Sequence, residues 1–199
     1  MLVRDDLYSL EEYATLRSEF KRHAVAHRKS RQVPLGTNMT LAFEDRMTVK
    51  YQIQEMLFIE RTFEAKGIED ELAAYNPLIP TGKNLKATLT IEYGDSKIRA
   101  QKLAELRGVE DTVFVQVFGH EPIFAIANED IPRSNEAKTS AVHFLRFELS
   151  DEMIKDLQSG KDFFVGVDHS KYQVTAKMQD TTVLLKDFNE NSSLVGMVG

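Results

Sequence analysis

The stretch Asn84-Leu85-Lys86-Ala87-Thr88-Leu89-Thr90-Ile91-Glu92-Tyr93 decides the fold class. Leu85, Ala87, Leu89, Ile91 and Tyr93 alternate strictly with polar residues, the period of a strand with one buried face. Asp95 then caps a helix that Gly108 ends. The same alternation returns at Val113, Val115 and Val117, and at Ala141, His143, Leu145, Phe147 and Leu149. Gly119-His120-Glu121-Pro122 is a turn, with Ile123 to Ala127 as a hairpin partner. Ser150 caps a helix over Asp151 to Gln158, Phe163–Val167 and Tyr172–Met178 make a last strand pair, and Asp180 caps a short helix. Strands joined by short turns imply an α+β fold with a mostly antiparallel or mixed sheet and N-terminal helices packed on one side.

Upstream the period changes from two to about 3.6. Ser9 and Glu12 form a capping box ahead of Leu10, Tyr13, Leu16, Phe20, Ala24 and His27, spaced by three and four. Pro34 and Gly36 stop that helix, and Met39, Leu41 and Phe43 alternate as a strand. Asp45 caps a second helix, expected over 47–66 with Gly67 as its stop and Val49, Ile53, Met56, Leu57 and Phe63 as its stripe. A third piece, 68–75, ends at Asn76-Pro77-Leu78-Ile79-Pro80, where two prolines favour a stiff extended connection. The expected organisation is one domain, 1–199: a helical part to 80, a sheet-rich part over 81–180, and a weakly ordered tail over 190–199.

The chain has 199 residues, 31 acidic against 25 basic side chains, a net charge of −6 and no cysteine. A 42% hydrophobic content is too high for a disordered chain. No apolar run approaches the roughly 18 residues of a membrane span. The acidic start, Met1-Leu2-Val3-Arg4-Asp5-Asp6, lacks the apolar core of a secretory signal, so a cytoplasmic location is expected and the sequons at Asn38 and Asn191 carry no meaning. Without cysteine there are no disulfides, no thiolate catalysis, no cysteine-ligated zinc and no ordinary iron–sulfur cluster.

A few polar residues stand in unexpected places. Glu60 lies between Met56 and Phe63 on the expected stripe of the second helix, where an unpaired carboxylate needs a partner, a metal or a proton. Glu64 can sit beside it at i+4, whereas Glu55 is about 140° away. His143 is in phase with Leu145 and Phe147 and should point inward; His27 ends an apolar stripe; His169 follows Asp168 at a strand end. Each histidine is most simply a hydrogen-bonded structural residue. Together His27, Glu60, His143 and His169 are candidates for a zinc or iron site, with Glu60, His143 and His169 as catalytic candidates, although no pair has diagnostic spacing. His23 and His27 are four apart, but Ala24 stands where a zinc-protease helix needs glutamate.

The segment Arg17–Arg31 is basic, with Glu19 its one acid. Arg28 and Arg31, with Arg46 and Lys138, are candidates for gripping a phosphate or carboxylate; the plain alternative is a solvated face. A docking surface for an acidic protein fits equally well. Nucleic acid is disfavoured by the overall charge and the lack of a basic sheet interleaved with aromatics. Gly82-Lys83-Asn84 is no phosphate loop, the scattered glycines make no dinucleotide fingerprint, and Ser140 and His143 point to opposite faces of a strand.

Several blocks occur together: Arg4-Asp5-Asp6-Leu7, Phe43-Glu44-Asp45-Arg46, Gln52-Ile53-Gln54-Glu55-Met56-Leu57, Glu71 to Pro80, Asn84 to Thr88, Lys138 to Leu145 and Gly166-Val167-Asp168-His169. Through them the chain resembles the bacterial domain-of-unknown-function family DUF3501 over roughly residues 2–172. The resemblance implies neighbours of the rubrerythrin-like and iron–sulfur oxidoreductase kinds, and hence a role in peroxide or redox defence. Three readings follow. One is a non-catalytic accessory protein that binds an acidic redox partner, which would carry the electrons. Another is a small enzyme or ligand-binding domain with Glu60, His143 and His169 lining a pocket, and Arg28 or Arg46 holding an anion. In the last, these groups merely hold the helices on the sheet.

Overall fold

The computed structural model describes residues 1–127, 129 and 138–188; the expected tail over 190–199 lies outside them. Helix α1 (Leu10–Ser30) starts at the capping box expected for it: Ser9 Oγ accepts from the Glu12 amide, and the Glu12 carboxylate accepts from the Ser9 amide. Pro34 and Gly36 lie past the end of this helix, which closes at Ser30 with Arg31 as its cap. They belong to a hairpin of β1 (Gln32–Leu35) and β2 (Met39–Glu44), missed in the sequence reading. A proline is tolerated because β1 is an edge strand. Gly36 takes φ 73° at the turn.

Asp45 caps α2 (Arg46–Glu60) by accepting from the amides of Met47 and Thr48. The helix ends six residues before the expected position. Arg61 adopts the left-handed conformation (φ 54°, ψ 41°) and closes the helix on the Leu57 carbonyl. Helix α3 (Ala65–Tyr75) follows, with Gly67 inside it rather than acting as a stop. Next come β3 (Asn84–Ile91), α4 (Ser96–Glu105), β4 (Val113–Val117), β5 (Ile123–Phe124), β6 (Ile126–Ala127) and β7 (Val142–Glu148). The chain continues with α5 (Asp151–Gln158), β8 (Phe163–His169), β9 (Tyr172–Lys177) and α6 (Thr182–Leu185).

The fold is α+β and every strand pairing among the described residues is antiparallel. The strands make two sheets, ordered β1-β2-β3-β7-β6 and β5-β4-β8-β9. The expected hairpin partner at 123–127 divides between them: β5 pairs with β4 and β6 with β7. One apolar core joins the inward residues of both sheets, including Leu41, Phe43, Leu89, Phe147, Val115, Phe163 and Val165, with Leu103 of α4 and Leu157 of α5. The Phe43 and Phe163 rings meet across it at 6.0 Å. The Tyr172 hydroxyl, on one sheet, donates to the Leu35 carbonyl, on the other, at 2.5 Å.

Helices α2 and α3 form a second, smaller core with the N-terminal segment: Leu2, Val49, Ile53, Leu57 and Leu72. Helix α1 lies on α2 through an aromatic seam, in which buried Tyr13 meets Phe20 and Phe58 edge-on at 6.0 and 5.7 Å. None of the described helices is long and apolar enough to cross a membrane.

Candidate functional site

The junction of α1, β2 and α2 gathers His27, Arg31, Asp45 and Asp187. Arg31, the residue after α1, is fully buried. Its Nε donates to the Phe43 carbonyl (2.9 Å), Nη1 to the Val183 carbonyl (2.5 Å), and Nη2 to the Glu44 carbonyl (3.1 Å) and to Asp187 Oδ2 (2.5 Å). Asp45 Oδ2 lies 3.6 Å from Nη1 and 2.6 Å from His27 Nε2. Burial acts to raise the Asp45 carboxyl, but the His27 contact, the Arg31 charge and the Thr48 amide hold it below the usual carboxylate range. For Asp187 the balance reverses: burial pushes it up to about 6 despite the facing guanidinium. Beside this cluster the buried Glu44 accepts from the hydroxyls of Thr48 (2.5 Å) and Thr88 (2.6 Å).

Arg31 therefore holds a carboxylate of its own chain and is not exposed to grip an external anion. Its donors are spent on the fold, joining the end of α1 to β2 and to the α6 segment. Arg46 is likewise engaged, with the Met1 carbonyl and Asp6 Oδ1, both at 2.6 Å. Arg28 is half-buried, with its Nε enclosed and lacking a hydrogen-bond partner among the described residues. Lys138 is exposed.

The proposed histidine and carboxylate candidates are not brought together. Glu60 is exposed, correcting the expectation that it is buried. The reason is the early end of α2: past Arg61 the chain turns away, so the stripe does not continue to Phe63, which is also exposed. The half-buried carboxylate of this helix is Glu55 instead. It holds Arg17 in a bidentate pair (2.9 and 2.9 Å) and accepts from the Tyr13 hydroxyl (2.7 Å), while the Arg17 guanidinium lies 4.8 Å from the Phe58 ring centre. The Arg17 hydrogen bonds keep Glu55 below its ordinary pKa, and burial pushes the Tyr13 phenol up.

His143 is fully buried, as its phase on β7 required. Its Nε2 lies 2.8 Å from Thr139 Oγ1 and 3.0 Å from the Ser140 carbonyl. A carbonyl only accepts, so Nε2 carries a proton. Thr139 Oγ1 in turn lies 2.8 Å from Oε2 of the buried Glu110. His169 sits at the β8–β9 turn. Its Nδ1 accepts from the Lys171 amide (3.2 Å), which leaves Nε2 to donate to the Arg107 carbonyl (3.3 Å). Among the described residues no three histidine, aspartate or glutamate side chains are grouped to hold a metal ion. Sequence reasoning missed Glu110 and Asp187, whose partners Thr139 and Arg31 are distant in the chain, and Glu44, whose partners are the nearby Thr48 and the distant Thr88. It also passed over His120, whose Nε2 meets Asp156 Oδ2 at 2.7 Å; a turn motif gives no sign of that partner.

What remains open to solvent is one side of α1. From Phe20 to Phe43 the chain has no acidic residue. Lys21, Arg22, His23 and Lys29 are exposed, around an exposed Val25. Basic residues at a helix C-terminus complement the helix dipole, and that is part of their role. Elsewhere some surface cations are matched by acids, Arg146 by Glu129 and Glu148, Lys161 by Asp156 and Lys177 by Asp162, while others, such as Arg4, Lys66, Lys97 and Lys155, make no ion pair among the described residues. Lys21 and Lys29 make no ion pair among the described residues, and Arg22 has a loose contact with Glu19 at 3.7 Å.

The class so defined is an α+β protein of two packed antiparallel sheets with a helical layer, most of whose buried polar groups are tied into the fold. The family model described as "Protein of unknown function (DUF3501)" matches residues 1–188, and the chain belongs to that family. It is similar to a protein from Burkholderia pseudomallei K96243 whose 1.90 Å crystal structure is described as that of a novel protein of unknown function. The two share 46% identity and superpose with a TM-score of 0.88, over 94% of this chain and 99% of that one. No curated protein matches the chain.

Proposed function

We propose that this protein is a non-catalytic accessory protein that docks an acidic protein partner on the exposed basic side of α1. The observation that carries this reading is the acid-free run from Phe20 to Phe43, whose cations Lys21, Arg22 and Lys29 lie exposed and largely unmatched. Such a patch raises the encounter rate with an acidic surface and orients it. The partner class to test first is the one the family resemblance implies, a rubrerythrin-like or iron–sulfur oxidoreductase protein of a peroxide-defence system. Electrons in such a pair reside on the partner, because this chain has no cysteine with which to hold a cluster.

The experiment is a binding titration against purified candidates of that class at several salt concentrations, comparing the native chain with K21E/R22E/K29E. Reversal of the three charges weakens binding by at least about tenfold and flattens its salt dependence. Binding that ignores both salt and the three reversals overturns this docking surface. Failure to bind any acidic redox protein overturns the partner class.

A further inference from the structure

One cation on the basic side of α1 differs from the others. Lys21, Arg22 and Lys29 are exposed, whereas Arg28 is half-buried. Its Nε is enclosed and has no hydrogen-bond partner, and its two terminal nitrogens reach solvent and make no hydrogen bond or ion pair among the described residues. An enclosed donor without an acceptor lowers stability and calls for an explanation. The chain offers this guanidinium no acid. The run Phe20–Phe43 contains none. Glu55 of α2 is held by Arg17 and by the Tyr13 hydroxyl. Arg28 does lie close enough to Tyr51 of α2 for its charge to act on that phenol, so the side chain leans over the seam between the two helices. Residues 21 and 28 are two turns apart, within about 20° of each other around α1 and about 10 Å apart along it.

We infer that Arg28 is the anchor of the basic side, the fork that receives an aspartate or glutamate carboxylate of the acidic partner. This deepens the docking reading and takes its partner class from it. Exposed cations such as Lys21, Arg22 and Lys29 speed the encounter, but water and salt screen them once the complex has formed. Arg28 is placed differently. Its stem and Nε are fixed against the protein, so little side-chain freedom remains to be lost on binding. Its terminal edge offers two parallel donors that match a carboxylate. The partner surface so defined carries two carboxylates about 10 Å apart, the spacing of acids two turns apart on a helix, one for Arg28 and one for Lys21.

The test titrates the full chain with labelled poly-L-glutamate, a probe that offers carboxylates and nothing else, and follows fluorescence anisotropy over a range of salt concentrations. R28K keeps the charge and loses the fork. It weakens binding by about tenfold while the slope of affinity against salt stays native, because the number of charges is unchanged. R99K, the same exchange at an exposed position on α4, alters neither. R28M melts at or above the native midpoint, since it keeps a long stem and removes a donor that had no acceptor. An R28K variant that binds as the native chain does overturns the anchor, and so does a native chain that does not bind the polymer. A fall of more than about 4 °C in the R28M midpoint also overturns it, by showing that the side chain holds the fold. Displacement of the polymer by millimolar inorganic phosphate puts a small free oxyanion on Arg28 and overturns the docking role. Binding of poly-L-glutamate that depends on Arg28, with no binding of any acidic redox protein, supports the anchor and overturns the partner class alone.

Discussion

Replacing Arg31 by methionine tests the central claim that this arginine is structural. The substitution keeps a long side chain but leaves three carbonyls and the Asp187 carboxyl without their donor. Removing one member of a buried pair costs about 3–5 kcal/mol. For a chain of this length that is a fall of about 6–20 °C in melting temperature. The loss should depend on pH in a defined direction. In the native protein Asp187 titrates at about 6, above its ordinary value, because burial outweighs Arg31. A carboxyl raised in the folded state binds protons the unfolded chain has released, so its effect on stability declines between about pH 4 and pH 6. Without Arg31 the carboxyl rises further, so the variant keeps losing stability over a pH range where the native protein has stopped. The deficit of R31M is therefore larger at pH 7 than at pH 5. Urea unfolding of both proteins at the two pH values reads this difference. R31M/D187N, which leaves neither charge of the pair buried, recovers part of the loss at pH 7. A deficit below about 1 kcal/mol at pH 7, or one equal at the two pH values, refutes the reasoning.

E60Q, at an exposed position, changes unfolding free energy by no more than about 0.5 kcal/mol, whereas H143F, which strips a buried donor from the Thr139 and Ser140 contacts, lowers it by about 1–3 kcal/mol in the same assay. G166A is destabilising by about 1–3 kcal/mol, since its methyl group would stand 2.5 Å from Phe114 Cε1 and 2.8 Å from the Val174 carbonyl oxygen; F114A in the same chain relieves the ring clash and makes the second change less costly than it is alone. E55Q removes part of the acid sensitivity. Glu55 is held below its ordinary pKa by Arg17, so its contribution is present above about pH 4.5 and is lost as pH falls through the lowered value, which acid titration of the melting temperature of both proteins measures.

The legible features were those encoded within a few residues. The Ser9 and Asp45 caps, the alternation over Leu85–Ile91 and the inward phase of His143 depend on local periodicity and on nearby backbone donors, and the structure has all of them. The errors have local causes too. The second helix was read through to 66 because Phe63 continues the apolar spacing, yet Arg61 takes a left-handed conformation that no residue type other than glycine or asparagine advertises. Glu60 was carried into the expected buried set by that error alone.

Amino-acid order by itself determined the α+β class and the concentration of positive charge in α1, and narrowed the sheet to mostly antiparallel or mixed, because these follow from side-chain period, turn length and composition. Only the tertiary structure decided that the strands split into two sheets around one core, that Arg31 meets Asp187 across 156 positions, and that the four candidate side chains go to separate neighbourhoods. Pairings of that kind depend on which distant segments the shared apolar core brings into register. Each buried polar group then takes whichever partner the packing sets within hydrogen-bond reach.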